Sequence, residues 1–280
     1  MKKLKVHFVG IKGVGMTPLA IIAKEAGFTV TGSDVSDEFI TDAALRNAGI
    51  NKIQDFSKEN IQDQDLVIIT GAHGGYDNIE AKEAVDKKIK VITQGEAVGI
   101  FMEGSIFGKS FLGVSVAGTH GKTTTSAMIA SILKENKMDP SYVIGTSHVE
   151  SLGAPGHFGS GKYFIAEADE YATEPRSNKK AKFLWQFPKI LVITNIEFDH
   201  PDVYSSLDEI RNAFLAFSNQ MGSAGLLIAC GDDPEVAKLL KDSKCKIVTY
   251  GFNKDNNYIL DNVHFSGDHM FFALSSYGTV

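Results

Sequence analysis

The residue types best suited to phosphate chemistry lie in the segment AGTHGKT, residues 117–123, between the apolar run FLGVSVA and the helix-like stretch TTSAMIASILKEN. Glycines at a helix N-terminus leave backbone N–H groups open to phosphate oxygens. Lys122 would reach the terminal phosphates, and the Thr123 hydroxyl would bind a magnesium ion. The full pattern G-x-x-x-x-G-K-[ST] is not met, because Val116 occupies its first glycine position, and an ordinary strand-turn-helix corner is the alternative. The residues predicted to bind the phosphates of a nucleotide are Gly118, Thr119, His120, Gly121, Lys122, Thr123 and Thr124, and these would bind ATP if the nucleotide is a triphosphate.

Acidic side chains follow a second apolar run, YFIA, in the segment EADE, residues 167–170. A carboxylate at the carboxyl edge of a parallel sheet lies beside ligand-binding loops, and hard cations prefer oxygen ligands. Glu167 is therefore a candidate metal ligand. The alternative is that these acids only mark the exit of a strand into solvent.

A histidine, His200, ends the segment NIEFDH after the apolar run KILVIT, at the same expected sheet edge. A lone histidine is more often structural, but a place beside a phosphate loop favours a functional role. Because magnesium prefers oxygen, direct coordination by His200 and action through a water stay open. We predict Lys122, Glu167 and His200 as catalytic residues, and Thr123, Glu167 and His200 as the metal site.

A second glycine cluster, GIKGVGM, follows the apolar run VHFV near the start of the chain. The next run, FTVTG, leads to Ser33 and Asp34. These residues lie about twenty positions after the glycine cluster, where an acidic side chain could bind a ribose hydroxyl. The spacing G-x-x-G-x-G supports a diphosphate at a helix N-terminus better than it supports NAD, and tight strand-helix packing alone is the alternative. The predicted diphosphate and nucleoside contacts are Gly10, Gly13, Val14, Gly15, Met16, Ser33 and Asp34.

Short apolar runs alternate with helix-length stretches along the chain, which predicts an α/β fold with parallel sheets covered on both faces. The 280 residues suggest two domains. We expect a Rossmann-like domain at 1–107 and a P-loop-type α/β domain with a parallel sheet at 108–280, joined near IFMEGSIFGK. The segment VHFSGDHMFFAL predicts a hairpin that flanks the second sheet.

The overall charge argues against nucleic acid or an anionic membrane as partners. The chain has 34 acidic and 28 basic side chains and a formal net charge of −6, so any phosphate site must be local. No apolar run approaches the ~18 residues that span a bilayer. We expect a cytoplasmic protein.

The segments GIKGVGM, TGSD, AGTHGKTTT, EADE and NIEFDH, in this order and spacing, resemble the Mur ligases of bacterial cell-wall precursor synthesis over essentially all 280 residues. Within that family, GTHGKT and EADE are similar to the branch that adds L-alanine to UDP-N-acetylmuramate and to the branch that adds a recycled murein tripeptide. The insertion EYATEPRSNKK and the segment that follows it lean toward the second branch.

The resemblance implies an ATP-dependent amide-forming ligase that uses Mg²⁺. UDP-N-acetylmuramate would lie on the first domain, with Gly13 and Gly15 near its diphosphate and His120 facing it from the second domain. ATP would convert the carboxylate to an acyl phosphate, which the amine of L-alanine or of a tripeptide would attack. Alternatives of another class are a non-catalytic nucleotide-binding module and a dehydrogenase-like dinucleotide binder.

Mur ligases carry a third domain that binds the incoming amino acid, and the present sequence stops at SSYGTV, before such a domain would begin. We therefore expect these residues to fold and to bind nucleotides but to turn over little or nothing.

Overall fold

A computed structural model of the chain describes residues 3–51, 53–174 and 178–276. Residues 175–177 of the insertion and residues 277–280 at the end of the chain lie outside the described residues.

The first half of the chain forms a parallel sheet in the order β3-β2-β1-β4-β5. β4 is wholly apolar and buried, and β1 is buried from Val6 onward, because helices cover both faces of the sheet. The strands are β1 (Lys5–Val9), β2 (Thr29–Ser33), β3 (Ile53–Gln54), β4 (Leu66–Ile69) and β5 (Lys90–Thr93).

Helices alternate with these strands, and their start signals are local. Pro18 lies in the first turn of the first helix, and Thr93 and Glu96 form a reciprocal capping box at the start of the fourth. The helices are α1 (Thr17–Glu25), α2 (Asp42–Asn47), α3 (Ile79–Asp86) and α4 (Gln94–Glu103).

The second half forms a larger sheet in the order β16-β15-β14-β13-β12-β6-β9-β7-β8, in which β8 and β16 are the antiparallel strands of the described residues. A separate hairpin pairs β10 with β11. The strands are β6 (Leu112–Ala117), β7 (Ser141–Val143), β8 (Gly156–His157), β9 (Tyr163–Ala168), β10 (Ala172–Glu174), β11 (Asn178–Ala181), β12 (Ile190–Ile193), β13 (Leu226–Cys230), β14 (Lys246–Gly251), β15 (Tyr258–Ser266) and β16 (His269–Ser276). Its helices are α5 (Lys122–Glu135), α6 (Leu207–Gln220) and α7 (Pro234–Leu240).

Three neighbouring strands of this sheet end level with one another. Ala117, the last residue of β6, lies opposite Ile193 of β12 and Ala168 of β9. All three strands run parallel, so the loops that follow them leave the sheet at one edge. This register brings together the three segments in which the sequence predicts phosphate-binding and metal-binding residues, AGTHGKT, EADE and NIEFDH.

The predicted α/β class, the parallel sheets and the flanking hairpin β15–β16 are confirmed. The two sheets also share one apolar core, to which Phe101 of α4 and Phe164 of β9 both belong. Gly99 lets the backbone at Trp185 pack closely against α4, because a Cβ on Gly99 would lie 2.1 Å from the carbonyl oxygen of Trp185. Helix α4 continues to Glu103, and the boundary between 107 and 108 stays a prediction.

Among the described residues, every helix is too short or too polar to cross a bilayer.

Candidate active site

The loop after β6 leads directly into α5, whose N-cap is Gly121 in the left-handed region at φ 84°. Gly118 also has a positive φ, 138°, and a Cβ there would lie 2.0 Å from the Thr194 hydroxyl. The first N–H groups of a helix have no partner within it, which suits a phosphate. Thr123 and Thr124 lie in this first turn.

Asn195, after β12, holds the loop in shape. Its backbone oxygen accepts the Thr119 N–H at 3.1 Å, and its side-chain oxygen accepts the His120 N–H at 2.9 Å. The backbone N–H groups of Thr119 and His120, two of the predicted ATP-binding residues, thus donate to Asn195 rather than to a ligand. The His120 ring stays outward: its side chain is 67% exposed, and Nε2 lies 3.6 Å from Glu197 Oε2.

Lys122 folds back over its own loop. Its Nζ donates to the carbonyl oxygens of Gly118 at 2.7 Å and Thr119 at 3.2 Å, and to Glu170 Oε1 at 3.2 Å. Glu170 is buried, and its Oε2 lies 3.0 Å from the same ammonium without hydrogen-bond geometry. A triphosphate at this helix end would have to draw Lys122 away from these partners.

Glu167 lies near the end of β9, beside the start of α5. Burial raises the pKa of its carboxyl, although the Gly145 N–H, the Thr123 hydroxyl and the Lys122 charge oppose the rise. The Gly145 N–H donates to Oε1 at 2.9 Å. The structure therefore brings Thr123 and Glu167 together, as the sequence predicts for a metal site.

His200 lies with a different set of acids. Its Nε2 is 3.4 Å from Glu170 Oε1 and 3.8 Å from Asp199 Oδ2. One ligand atom from each of the three residues falls within 4.8 Å of the others. His200 has a φ of 55°, which is uncommon outside glycine and concentrates at functional positions. Glu170 and Asp199 lie in the quoted motifs, but residue type alone did not show which acids meet the histidine.

The glycine cluster of the first half forms the turn between β1 and α1. Asp34 is buried and accepts the Lys12 N–H at 2.7 Å and the Val35 N–H at 2.9 Å. Gly10 and Ile11 donate their N–H groups to the backbone oxygen of Ser33. The side chain of Asp34 is thus already bonded within the protein, and its contact with a nucleoside stays a prediction.

Ser33 joins a buried polar network that the sequence did not reveal. Its hydroxyl donates to Glu80, which is fully buried and also accepts from Asn60 Nδ2 at 2.6 Å and the Ser57 N–H at 3.1 Å. Burial opposes ionisation of Glu80, but hydrogen bonds led by His7 hold its pKa below the ordinary value. This network fixes the strand end that supports the glycine turn.

A cavity of about 320 Å³ joins the two loops. The first half contributes the glycine turn and Gln94, and the second half contributes Lys122, Glu167 and Gly145. The lining residues that the sequence predicted for the two nucleotide sites are Gly13, Val14, Gly15, Met16, Lys122 and Glu167. This cavity is the candidate active site.

A larger cavity of about 650 Å³ lies between Lys90, Gly113 and Lys189, which stand at the amino ends of β5, β6 and β12. Ligands of parallel α/β sheets bind at the carboxyl ends of the strands. The cavity of about 320 Å³ is therefore the better candidate for the active site, although it is the smaller of the two.

Lys182 also lines the candidate active site and was missed from the sequence. It begins a 3₁₀ turn after β11, and its Nζ lies 2.8 Å from Asp169 Oδ2. No motif surrounds it, since its contact depends on the path of the β10–β11 hairpin.

Two stretches of the chain match known domains of one family. Residues 5–105 match the catalytic domain of the Mur ligase family, and residues 116–279 match the Mur ligase middle domain.

Curated relatives include two UDP-N-acetylmuramate–L-alanine ligases. That of Acetivibrio thermocellus is 39% identical over 251 residues, which cover 90% of this chain and 50% of the relative. That of Desulfitobacterium hafniense is 36% identical over 278 residues, 99% of this chain and 58% of the relative. The chain thus spans about half the length of the curated relatives it matches.

Solved structures resemble the chain over nearly its whole length. The UDP-N-acetylmuramate:L-alanyl-γ-D-glutamyl-meso-diaminopimelate ligase of Neisseria meningitidis has a TM-score of 0.81 at 25% identity, covering 98% of this chain and 84% of that one. The UDP-N-acetylmuramate–alanine ligase of Thermotoga maritima has a TM-score of 0.77 at 29% identity, covering 98% and 58%.

Proposed function

This chain belongs to the Mur ligase family, and from that premise we propose that it carries the two nucleotide-binding regions of an ATP-dependent ligase. The reaction joins an amine to the carboxylate of UDP-N-acetylmuramate. The observation that carries the proposal is the single cavity lined by the glycine turn of the first sheet and by Lys122 and Glu167 of the second. We further propose that the reaction runs in the cytoplasm, where ATP is available.

A carboxylate resists attack by an amine, so ATP first converts it to an acyl phosphate. Lys122 neutralises charge on the transferring phosphoryl group once the triphosphate has displaced Gly118, Thr119 and Glu170 from its ammonium. The amine then attacks the acyl carbon, and the tetrahedral intermediate expels phosphate. Because the reactants come from separate sheets, holding them at near-attack distance supplies much of the rate.

The acids around Lys122 fit magnesium. Glu170 Oε2 is buried without a hydrogen bond in the described part of the chain, and oxygen donors predominate in both acid groups. Thr123 and Glu167 would hold one ion, and Glu170, Asp199 and His200 form a second donor set. A bound ion would neutralise the phosphate oxygens.

We propose L-alanine as the amine, since relatives at 39% and 36% identity are L-alanine ligases. A second candidate is the murein tripeptide, which is favoured by the TM-score of 0.81 to a tripeptide ligase and by 84% coverage of that chain.

Calorimetric titration with UDP-N-acetylmuramate and with MgATP tests the two binding sites, and we expect both ligands to bind. Phosphate release, measured with both nucleotides plus either L-alanine or the tripeptide, identifies the amine. The assay is run on this chain and on any longer chain that contains it. Faster release with the tripeptide would replace L-alanine by the second candidate, and failure to bind MgATP would reject the ligase.

A further inference from the structure

The candidate active site contains a second cation besides Lys122. Lys182 lines the cavity with a side chain that is 24% exposed. Its stem packs against α4, where a Cβ on Gly95 would lie 3.3 Å from the Lys182 Cβ. Helix α4 begins at Gln94, whose side chain reaches the glycine turn at Gly15 O, 3.4 Å away. Lys182 therefore lies where the two sheets meet.

The two lysines differ in how their ammonium groups are used. Lys122 donates to two carbonyl oxygens and to Glu170. Within the described ranges, Lys182 donates one hydrogen bond, to Asp169. An ammonium has three N–H donors, so Lys182 has two left for a ligand.

Asp169 holds the Lys182 ammonium in place. Burial disfavours the charged carboxyl, but the Lys182 charge and its hydrogen bond bring the pKa of Asp169 below the ordinary value. Glu167 lines the same cavity. An anionic ligand that enters between these acids needs a cation, and the proposed mechanism commits Lys122 to ATP.

We propose that Lys182 binds an anionic group of the sugar nucleotide, either its diphosphate or its lactyl carboxylate, and that Asp169 orients the ammonium for this contact. The inference rests on the proposed function, because it takes UDP-N-acetylmuramate as the ligand. It assigns this contact to a residue outside the predicted motifs, since the ammonium of Lys12 in the glycine turn already donates to the backbone oxygens of Val35 and Asp37.

Calorimetric titration of the Lys182→Met variant with three probes tests this assignment. Methionine keeps the stem against Gly95 and removes the charge. The probes are UDP, UDP-N-acetylglucosamine, which has the diphosphate but not the lactyl carboxylate, and UDP-N-acetylmuramate. Lys179→Met is the matched control, since Lys179 is exposed on β11. Thermal unfolding of each variant verifies the fold.

We expect UDP-N-acetylmuramate to bind Lys182→Met about 10- to 100-fold more weakly than the unmodified chain, which is the range of a charged hydrogen bond. Equal weakening of all three probes assigns the diphosphate, and weakening of UDP-N-acetylmuramate alone assigns the carboxylate. Lys182→Arg should recover part of the affinity. Unchanged binding by a folded Lys182→Met would overturn the inference and leave the ligase intact. If the unmodified chain bound none of the probes, the proposed sugar-nucleotide site would fail, and this inference with it.

Discussion

The glycine turn of the first sheet, residues 10–16, differs from the loop of the second, residues 118–123, in what supports its backbone. Beneath the first lie buried polar side chains that hydrogen-bond within the protein. Asp34 accepts the Lys12 N–H, and the Ser33 hydroxyl donates to Glu80. Around the second lie ionisable side chains that contact each other: Lys122 donates to Glu170, and His200 lies beside the same carboxylate. The first is a fixed backbone surface, whereas the second is a set of charges that a ligand can rearrange.

Lys122→Ala tests the second loop and should have the largest effect. We expect turnover in an active chain to fall by about 10²–10³-fold, because charge on the transferring phosphoryl group loses its cation. MgATP affinity should fall with it, while UDP-N-acetylmuramate still binds. Lys134→Ala, near the end of the same helix, is the control, and phosphate release with calorimetry is the measurement. Full activity in Lys122→Ala would refute the role of the loop.

Glu167→Gln should weaken magnesium-dependent ATP binding by roughly 10-fold, because an amide is a poorer ligand for a hard cation. The same change should raise the unfolding temperature at neutral pH. Burial raises the pKa of Glu167 above 4.5, so stability falls as the pH rises from 4.5 to the folded-state value, and the full cost is present above it.

This gain in unfolding temperature should shrink as the pH falls and disappear below 4.5, where the carboxyl becomes neutral in both the folded and the unfolded chain. Calorimetric scans against pH measure it, with the fully exposed Glu150→Gln as the matched variant. A Glu167→Gln protein that is less stable at neutral pH would show that the carboxylate stabilises the fold.

Asp34→Ala tests the fixed surface. It leaves the Lys12 N–H without its acceptor, so the free energy of unfolding should fall by about 1–3 kcal/mol. UDP-N-acetylmuramate affinity should fall too, and MgATP affinity should not change. Chemical denaturation and calorimetry measure these effects against Asp37→Ala, whose side chain is exposed. Equal loss of both nucleotides would mean that the two loops are not separate.

His157→Gln tests the contact that links the two regions and should have the smallest effect. The His157 Nδ1 lies 2.9 Å from Glu25 at the end of α1, and Nε2 lies 3.0 Å from Asp139. Both nitrogens donate only in the imidazolium form. The Glu25 hydrogen bond, against burial, raises the pKa of His157 above 6.5. The stabilisation is therefore complete below pH 6.5 and is lost as the pH rises through the folded-state value.

We expect His157→Gln to lose about 0.2–1 kcal/mol below pH 6.5, since a part-exposed ion pair is screened. The loss should disappear at alkaline pH. At the acid end, the hydrogen bond from the Ser160 N–H is the main cause that lowers the pKa of Asp139 to about 2. The stabilisation that the Asp139 carboxylate provides is therefore lost as the pH falls from 3.8 toward that value. Denaturation curves against His148→Gln, an exposed histidine, measure the difference. A loss that did not vary with pH would exclude the imidazolium contact.

The apolar strands and the order of the motifs were predictable because they are local. Runs such as Leu66–Ile69 and Ile190–Ile193 are buried on both faces and read directly as parallel strands. By contrast, Asn178–Ala181 has no apolar run, and its pairing with Ala172–Glu174 is not visible in composition.

The sequence allowed us to predict which residues lie at the candidate site, but not which of them contact each other. Lys122, Glu167 and His200 stand at one sheet edge, as their positions after apolar runs indicate. The partition of acids, with Glu167 beside Thr123 and Glu170 beside His200, depends on how each loop turns after its strand. Lys182 and Glu80 act through contacts between distant segments, which no local pattern encodes.

The level ends of β9, β6 and β12 constrain how the gene can change in length. Deletion of one codon inside β6 would turn its later side chains to the opposite face and draw the loop away from the carboxylates on one side and the histidine on the other. Codon loss in the stretch between Gly145 and β8, residues 146–155, shifts no register shared by three strands. In a library of single-codon deletions, survivors should therefore concentrate in that stretch and be missing from all three strands together.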